Sequence, residues 1–138
     1  MLKLEIPKRI YKQMLDHAAT EVPIEACGIL AGKNHKVERF YPMTNIDNSS
    51  DHFMMEPKEQ FAIVKDIRAA GLEMLSIYHS HPESPARLSV EDIKLALTPN
   101  MIYTIVSLQK SGSPVINSFL INDGINENVP IEILENKE

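Results

Sequence analysis

The sequence predicts an α/β fold in which helices flank a single mixed β-sheet. Three observations predict it. Segments with apolar residues at helical spacing alternate with short apolar runs bounded by glycine or proline. The last third of the chain changes to a succession of strand-like segments joined by turn residues, an order that arranges helices around one sheet in two or three layers. At 138 residues, with 43% hydrophobic and 24% charged residues, the chain has the size and composition of one globular domain, residues 1–138.

The elements follow in order. Ile10, Tyr11, Met14, Leu15 and Ala18 recur at helical spacing, and Pro7 suits the first turn of that helix. Cys27 to Ala31, next to Gly28 and Gly32, reads as a buried strand, and Val37 to Met43 as a second. Asn45 to Asp51 is polar and turn-rich, so an exposed loop is expected there. Pro57 opens a second helix with Phe61, Val64, Ile67 and Arg68 along one side, and Gly71 terminates it. Met74 to Tyr78 is a compact apolar run, the expected central strand. Beyond the proline-bearing loop from Pro82 to Leu88, the residues Val90, Ile93 and Leu97 mark a short third helix. Met101 to Leu108 and Val115 to Ile121 read as strands joined across Ser111 to Pro114. Asp123-Gly124 signals a further turn, Ile131 to Leu134 adds a last edge strand, and the tail from Glu135 is expected to fray.

Composition narrows the function. The net charge is −5, from 14 basic and 19 acidic residues, and no basic run occurs; both argue against a nucleic-acid partner. Cys27 is the only cysteine, which excludes an intramolecular disulfide and a four-cysteine zinc knot. Residues Met1 to Pro7 lack the long apolar region of a signal peptide, and no apolar stretch approaches the ~20 residues of a membrane span. A cytoplasmic protein with no membrane partner is expected.

The chemistry concentrates in His79-Ser80-His81-Pro82 and Ser89-Val90-Glu91-Asp92. If the strand through Tyr78 continues, His79 and His81 share one face, with Cα atoms about 6.5 Å apart, and two imidazoles so placed can converge on one ion. Pro82 donates no backbone hydrogen bond, so the strand can stop at the rim of the sheet. Asp92 falls in the first turn of the helix that Ser89 opens, where the helix dipole favours the charged carboxylate that binds metal. Two histidines and one aspartate leave a fourth tetrahedral position for water, the mark of a catalytic zinc site. Each part has a plainer reading. Ser89 with Asp92 is by itself a capping box, and two alternate histidines can be coincidence. His17, His35 and His52 are read as surface or hydrogen-bonded histidines, Cys27 as a small packing residue, and Glu25 alone as an exposed charge before a strand.

The two blocks together resemble a family. His79-Ser80-His81-Pro82, six residues, Ser89, two residues and Asp92 is similar to the JAMM motif of MPN-domain metalloproteases. Glu25-Ala26-Cys27-Gly28-Ile29-Leu30 is similar to the family's upstream Glu-x-Cys-Gly-x-Leu segment. The likeness spans roughly Ile6 to Leu120, with the motif-bearing core at 6–121. It implies a cytidine-deaminase-like architecture, with His79, His81 and Asp92 as zinc ligands, Glu25 as general base and acid, and Ser89 as hydrogen-bond donor to the oxyanion. Zinc would lower the pKa of its water to ~7, and a neighbouring carboxylate would move the proton.

Substrate follows from the same resemblance. Such enzymes cleave amide bonds at the C-terminus of ubiquitin or ubiquitin-like proteins. The segment Asn45 to Ser50, with Phe53 and Glu56-Pro57, looks like that of compact prokaryotic members, for which the implied substrate is a small sulfur carrier ending in Gly-Gly. Only six residues separate Pro82 from Ser89, which leaves no room for a long insertion that would grip ubiquitin. A substrate tail is expected to pair with a sheet edge near the metal. The alternative is a non-catalytic MPN scaffold that binds a ubiquitin-like partner. A zinc deaminase would need a later Pro-Cys-x-x-Cys that one cysteine cannot supply. The DNA-repair branch with a related His-x-His-Pro motif lacks basic support here, and Glu83-Ser84-Pro85 stands where that branch has a glycine-bearing loop.

Overall fold

The computed structural model describes residues 2–95, 100–110, 112–122 and 125–135. Along the chain lie β1 (Leu4–Pro7), α1 (Lys8–Glu21), β2 (Cys27–Lys33), β3 (Lys36–Met43), α2 (Pro57–Ala69), β4 (Glu73–His81), α3 (Val90–Leu95), β5 (Ile102–Ser107), β6 (Val115–Asn122), β7 (Ile125–Val129) and β8 (Ile131–Leu134). The strands form one sheet in the order β7-β6-β5-β4-β2-β3-β1-β8. It is mixed, as expected: β4 and β5 run parallel, as do β1 with β3 and β1 with β8, and the remaining pairs are antiparallel.

Helices cover both faces. On one, Ile10, Met14 and Ala18 of α1 pack with Leu4, Ile6, Leu30, Val37 and Tyr78. This is the apolar stripe read from the sequence. On the other, Ile67 of α2 packs with Cys27, Ile29, Ala31, Met43 and Met55. A smaller cluster of Ala86, Ile105 and Phe119, with Leu88 against it, continues beyond β4. Each fully buried aliphatic side chain in these clusters stabilises the fold by about 1.5–3 kcal/mol relative to exposure.

Several expectations need correction. Pro7 closes a strand and precedes the first helical residue instead of lying in the first turn; its φ of −58° suits either state, and the alternating burial of Leu4 and Ile6 decides it. Phe61, read along one side of α2 with Val64, Ile67 and Arg68, is 67% exposed. Six residues at about 100° each place it some 120° from Ile67, so Ile63 takes the inner position. Strand β7 was not foreseen: Ile125, Asn126, Glu127 and Asn128 are all exposed, so no alternation of polarity marks it. Leu97, the Asp123-Gly124 turn, Ser111 and the tail beyond Glu135 lie outside the described residues.

Gly71 does terminate α2. Its φ is +70°, its N–H donates to Arg68 O, and Leu72 N–H reaches back to Ile67 O, the paired bonds that close a helix through a left-handed residue. At the other end Pro57 sits in the first turn, and the Glu56 carboxylate accepts from Glu59 N–H at 2.7 Å. No described helix is long and apolar enough to cross a membrane.

Candidate metal centre

The site is built at the C-terminal end of β4, a central strand. There β2 flanks it on one side, with Cys27 opposite His79, and β5 on the other, with Ser107 opposite His81. The strand continues past the apolar run to His81, so His79 and His81 project from the same face as Cys27 and Ile77, the face covered by α2. After Pro82 the chain turns back over that face. Three bonds tie this return: Ser107 Oγ–H donates to Ser84 O at 2.6 Å, Asn117 Nδ2–H to Ala86 O at 2.8 Å, and His81 Nδ1 lies 2.8 Å from Pro85 O.

The return delivers Ser89 and Asp92. Ser89 Oγ accepts from Asp92 N–H at 3.0 Å while Asp92 Oδ2 accepts from Ser89 N–H at 2.9 Å, so the capping box is present with aspartate as its third partner. The plain capping reading and the ligand reading therefore both hold of one residue. The cap fixes the Asp92 side chain where the imidazoles point.

His79 Nε2 stands 3.2 Å from His81 Nε2 and 3.1 Å from Asp92 Oδ1, and His81 Nε2 stands 3.0 Å from Asp92 Oδ2. All three side chains are buried. The two Nε2 atoms, 3.2 Å apart, each face one oxygen of the Asp92 carboxylate. Ligand atoms of a tetrahedral ion with bonds of ~2.0–2.1 Å lie about 3.3 Å apart, so the cluster has the size that one small divalent ion needs. His81 Nδ1–H donates to Pro85 O, so in the neutral ring the lone pair lies on Nε2, where it would face an ion, the usual outer support of a ligating imidazole. A second trio, Glu25, His79 and His81, brings its ligand atoms within 4.8 Å of one another. Asp92 stands nearer the imidazoles, at 3.1 Å from His79 Nε2 and 3.0 Å from His81 Nε2, than Glu25 does to His81 Nε2 at 3.9 Å, and is the better third ligand.

Glu25 enters from the segment before β2. Ser80, between the two histidines, points the other way: its Oγ accepts from Ala26 N–H at 2.7 Å and its N–H donates to Ala26 O at 3.0 Å. Glu25 N–H donates to Ser49 O, and Asn45 Nδ2 donates to Glu25 O. Gly28 lets β2 and β3 close up beside this motif, since a Cβ there would meet Tyr41 O at 2.5 Å. The Glu25 carboxyl is only 2% exposed, with Oε2 at 3.9 Å from His81 Nε2 and Oε1 with no partner. It is not the exposed charge its sequence position taken alone implies.

Burial pushes the Glu25 carboxyl up to about 8, with His81 opposing and the Asp92 and Asp51 carboxylates adding to the rise. Burial would raise Asp92 too, yet the bonds from His79, His81 and Ser89 N–H hold it far below the usual carboxylate range. Burial lowers His79. It opposes the rise of His81, which the bonds to Asp92 and Pro85 O carry upward. The site thus separates a permanent carboxylate from one that can hold a proton near neutral pH, the division that acid–base work needs.

A stability test follows. Because the folded Glu25 pKa is raised, its penalty is absent below the ordinary 4.5 and grows as pH rises toward about 8. Glu25→Gln removes it. Urea melts of metal-free protein are expected to show the variant gaining about 1–3 kcal/mol over the parent between pH 4.5 and 8. Parallel pH profiles would count against a buried, protonated Glu25.

The sequence brought forward His79, His81, Asp92, Ser89 and Glu25, and the fold gathers all five. Cys27 is a buried packing residue with its thiol pushed up to about 12 by burial. His17 packs against Phe40 and Tyr78 on the α1 face, His35 lies in the β2–β3 turn, and His52 bonds Asp47. Three contributors were missed. Asn45, expected in an exposed loop, is 1% exposed and holds Glu25 O, His52 O, Asp47 N–H and Met54 N–H. Ser80 and Phe53 were seen in the motifs without a role. Phe53, with His52 and Tyr103, lines a narrow cleft against His79 and Asp92.

The family described as prokaryotic homologs of the JAB domain matches residues 7–121. The chain is 33% identical over 134 residues to the CysO-cysteine peptidase of Mycobacterium tuberculosis, covering 96% of this chain and 92% of that one. It is 32% identical over 126 residues to the probable TtuB-protein conjugate cleaving protease of Thermus thermophilus, covering 89% and 79%. The solution structure of protein DSY2949 from Desulfitobacterium hafniense matches with a TM-score of 0.89 at 42% identity, covering 98% and 95%.

Proposed function

We propose that this chain, which belongs to the family of prokaryotic homologs of the JAB domain, is a JAMM-type metallopeptidase that hydrolyses the amide bond after the C-terminal Gly-Gly of a ubiquitin-like sulfur-carrier protein. The observation that carries this reading is the buried cluster in which two imidazole Nε2 atoms 3.2 Å apart each face an Asp92 oxygen at 3.0–3.1 Å, beside a carboxyl with one free oxygen. The names of the Mycobacterium and Thermus relatives specify cleavage of a CysO-cysteine and of TtuB-protein conjugates, which supports the substrate class. We take the ion to be zinc, which suits two imidazoles and one carboxylate with a position left open. We treat residues 1–138 as one domain that acts in the cytoplasm.

His79, His81 and Asp92 hold the ion. Once bound, the ion supplies Lewis-acid chemistry, lowering the pKa of a water molecule and polarising the scissile carbonyl. Glu25 takes the proton of the attacking water on its carboxylate and returns it to the leaving amine as the C–N bond breaks. Ser89 Oγ accepts from Asp92 N–H, so its own hydroxyl proton is free to donate to the carbonyl oxygen as charge builds there. The products are a carrier ending in a Gly-Gly carboxylate and a free amine.

A substrate tail paired with a sheet edge near the metal is part of this reading. The sheet edges β7 and β8 are three and four strands from β4. Beside the site the 45–55 loop is closed by a single bridge from Asn45 to Met55, with Ile46 N–H on Met54 O.

The test uses a ubiquitin-like carrier extended by one amino acid beyond Gly-Gly. Mass spectrometry is expected to show that residue released, release stopped by a chelator and restored by zinc. Stoichiometric metal without release from any carrier offered would favour the scaffold reading.

A further inference from the structure

We infer that Phe53 is a positioning residue for the metal centre: its ring, stacked on His79, sets the orientation that a hydrogen bond sets for His81. This rests on the proposed metal centre and adds a residue to it.

The two imidazoles are held differently. A ligating imidazole that offers Nε2 carries its proton on Nδ1, and that proton ordinarily goes to a carbonyl or carboxylate which fixes the ring. His81 follows this pattern through Pro85 O at 2.8 Å. His79 Nδ1 is buried and has no partner. The ring's polar contacts are at Nε2 alone, 3.1 Å from Asp92 Oδ1 and 3.2 Å from His81 Nε2. No bond on the Nδ1 side fixes its rotation about χ2, a torsion that is intrinsically broad.

What meets the ring is Phe53. The ring centroids are 4.8 Å apart and the planes 25° from parallel, an offset stack of the kind worth more than area burial alone. By contrast His81 meets His79 at 58° and 5.0 Å, through nitrogens and not faces. Phe53 is fixed in turn. Its neighbours on both sides bond the buried Asn45, which donates to His52 O at 3.1 Å and accepts from Met54 N–H at 3.1 Å, while Met55 bridges Asn45. A chain of contacts thus runs from Asn45 through Phe53 to the His79 face, and Asn45 also holds Glu25 O. One buried amide sets both the ligand's orientation and the base's position.

The experiment compares Phe53→Leu, which keeps apolar cover but loses the flat face, with Phe53→Tyr, which keeps the face. Zinc dissociation constants come from chelator competition, ligand geometry from the visible absorption of the cobalt-substituted proteins, and fold integrity from thermal melts of the metal-free proteins. Phe53→Leu is expected to weaken zinc on the order of tenfold and shift the cobalt bands. Phe53→Tyr is expected to stay within about twofold of the parent, and the metal-free melting temperatures to remain close. Unchanged zinc affinity and cobalt bands in Phe53→Leu would overturn the inference. So would equal weakening in both variants, or a loss matched by an equal drop in metal-free stability. A parent that takes up no zinc brings down the metal centre itself, an outcome visible before any variant is made.

Discussion

Glu25→Gln is expected to cut amide hydrolysis by about 10²–10⁴-fold while the protein keeps its metal. The carboxyl lies outside the tight cluster, 3.9 Å from His81 Nε2, so replacing it with an amide of nearly equal shape leaves His79, His81 and Asp92 as they are. What would be lost is the group proposed to take and return the proton. Burial already places Glu25 at about 8 in the metal-free site, and a bound cation would pull it down toward the operating range. Zinc content and single-turnover rates measured on the same preparation check this. Loss of metal together with activity would move Glu25 into the ligand set, and full activity would remove it from the mechanism.

Asp92→Asn is expected to weaken metal binding by more than about 100-fold, beyond what loss of an outer-shell partner costs. A neutral amide is a poor oxygen ligand, and the two imidazoles would lose the carboxylate that both now contact at 3.0–3.1 Å. Asparagine can still accept from Ser89 N–H, so the start of α3 survives and the fold with it. The contrast with Glu25→Gln is the informative part: one variant keeps metal without turnover, the other loses the metal first. Chelator competition at fixed pH measures it. An affinity equal to the parent's would mean that Glu25, His79 and His81 hold the ion instead.

Much of this site is legible in the sequence, for physical reasons. The two-residue period of a strand places His79 and His81 on one face from their spacing alone, and the Ser89–Asp92 interval is a local motif whose bonds close within four residues. Such information is contained in short windows. Glu25 is different: 54 residues before His79, it joins the site only because β2 pairs with β4 at Cys27 opposite His79. The family resemblance identified it where periodicity could not. Asn45, Ser80 and Phe53 escaped for the same reason, since a buried hub at Asn45 looks like any turn asparagine until the 45–55 segment folds over β4. Of the fold, helix α1 and the central strands were legible because their apolar faces are complete. Strand β7 was not, because an edge strand with outward polar residues leaves no pattern to read.

The direct test of the centre is the position of the ion. A crystal of zinc-loaded protein, measured at the zinc absorption edge, is expected to show one anomalous peak about 2.0–2.1 Å from His79 Nε2, His81 Nε2 and an Asp92 oxygen, with Glu25 outside bonding distance. A peak bonded to Glu25 and remote from Asp92, or no peak in this cleft at full zinc occupancy elsewhere, would contradict it.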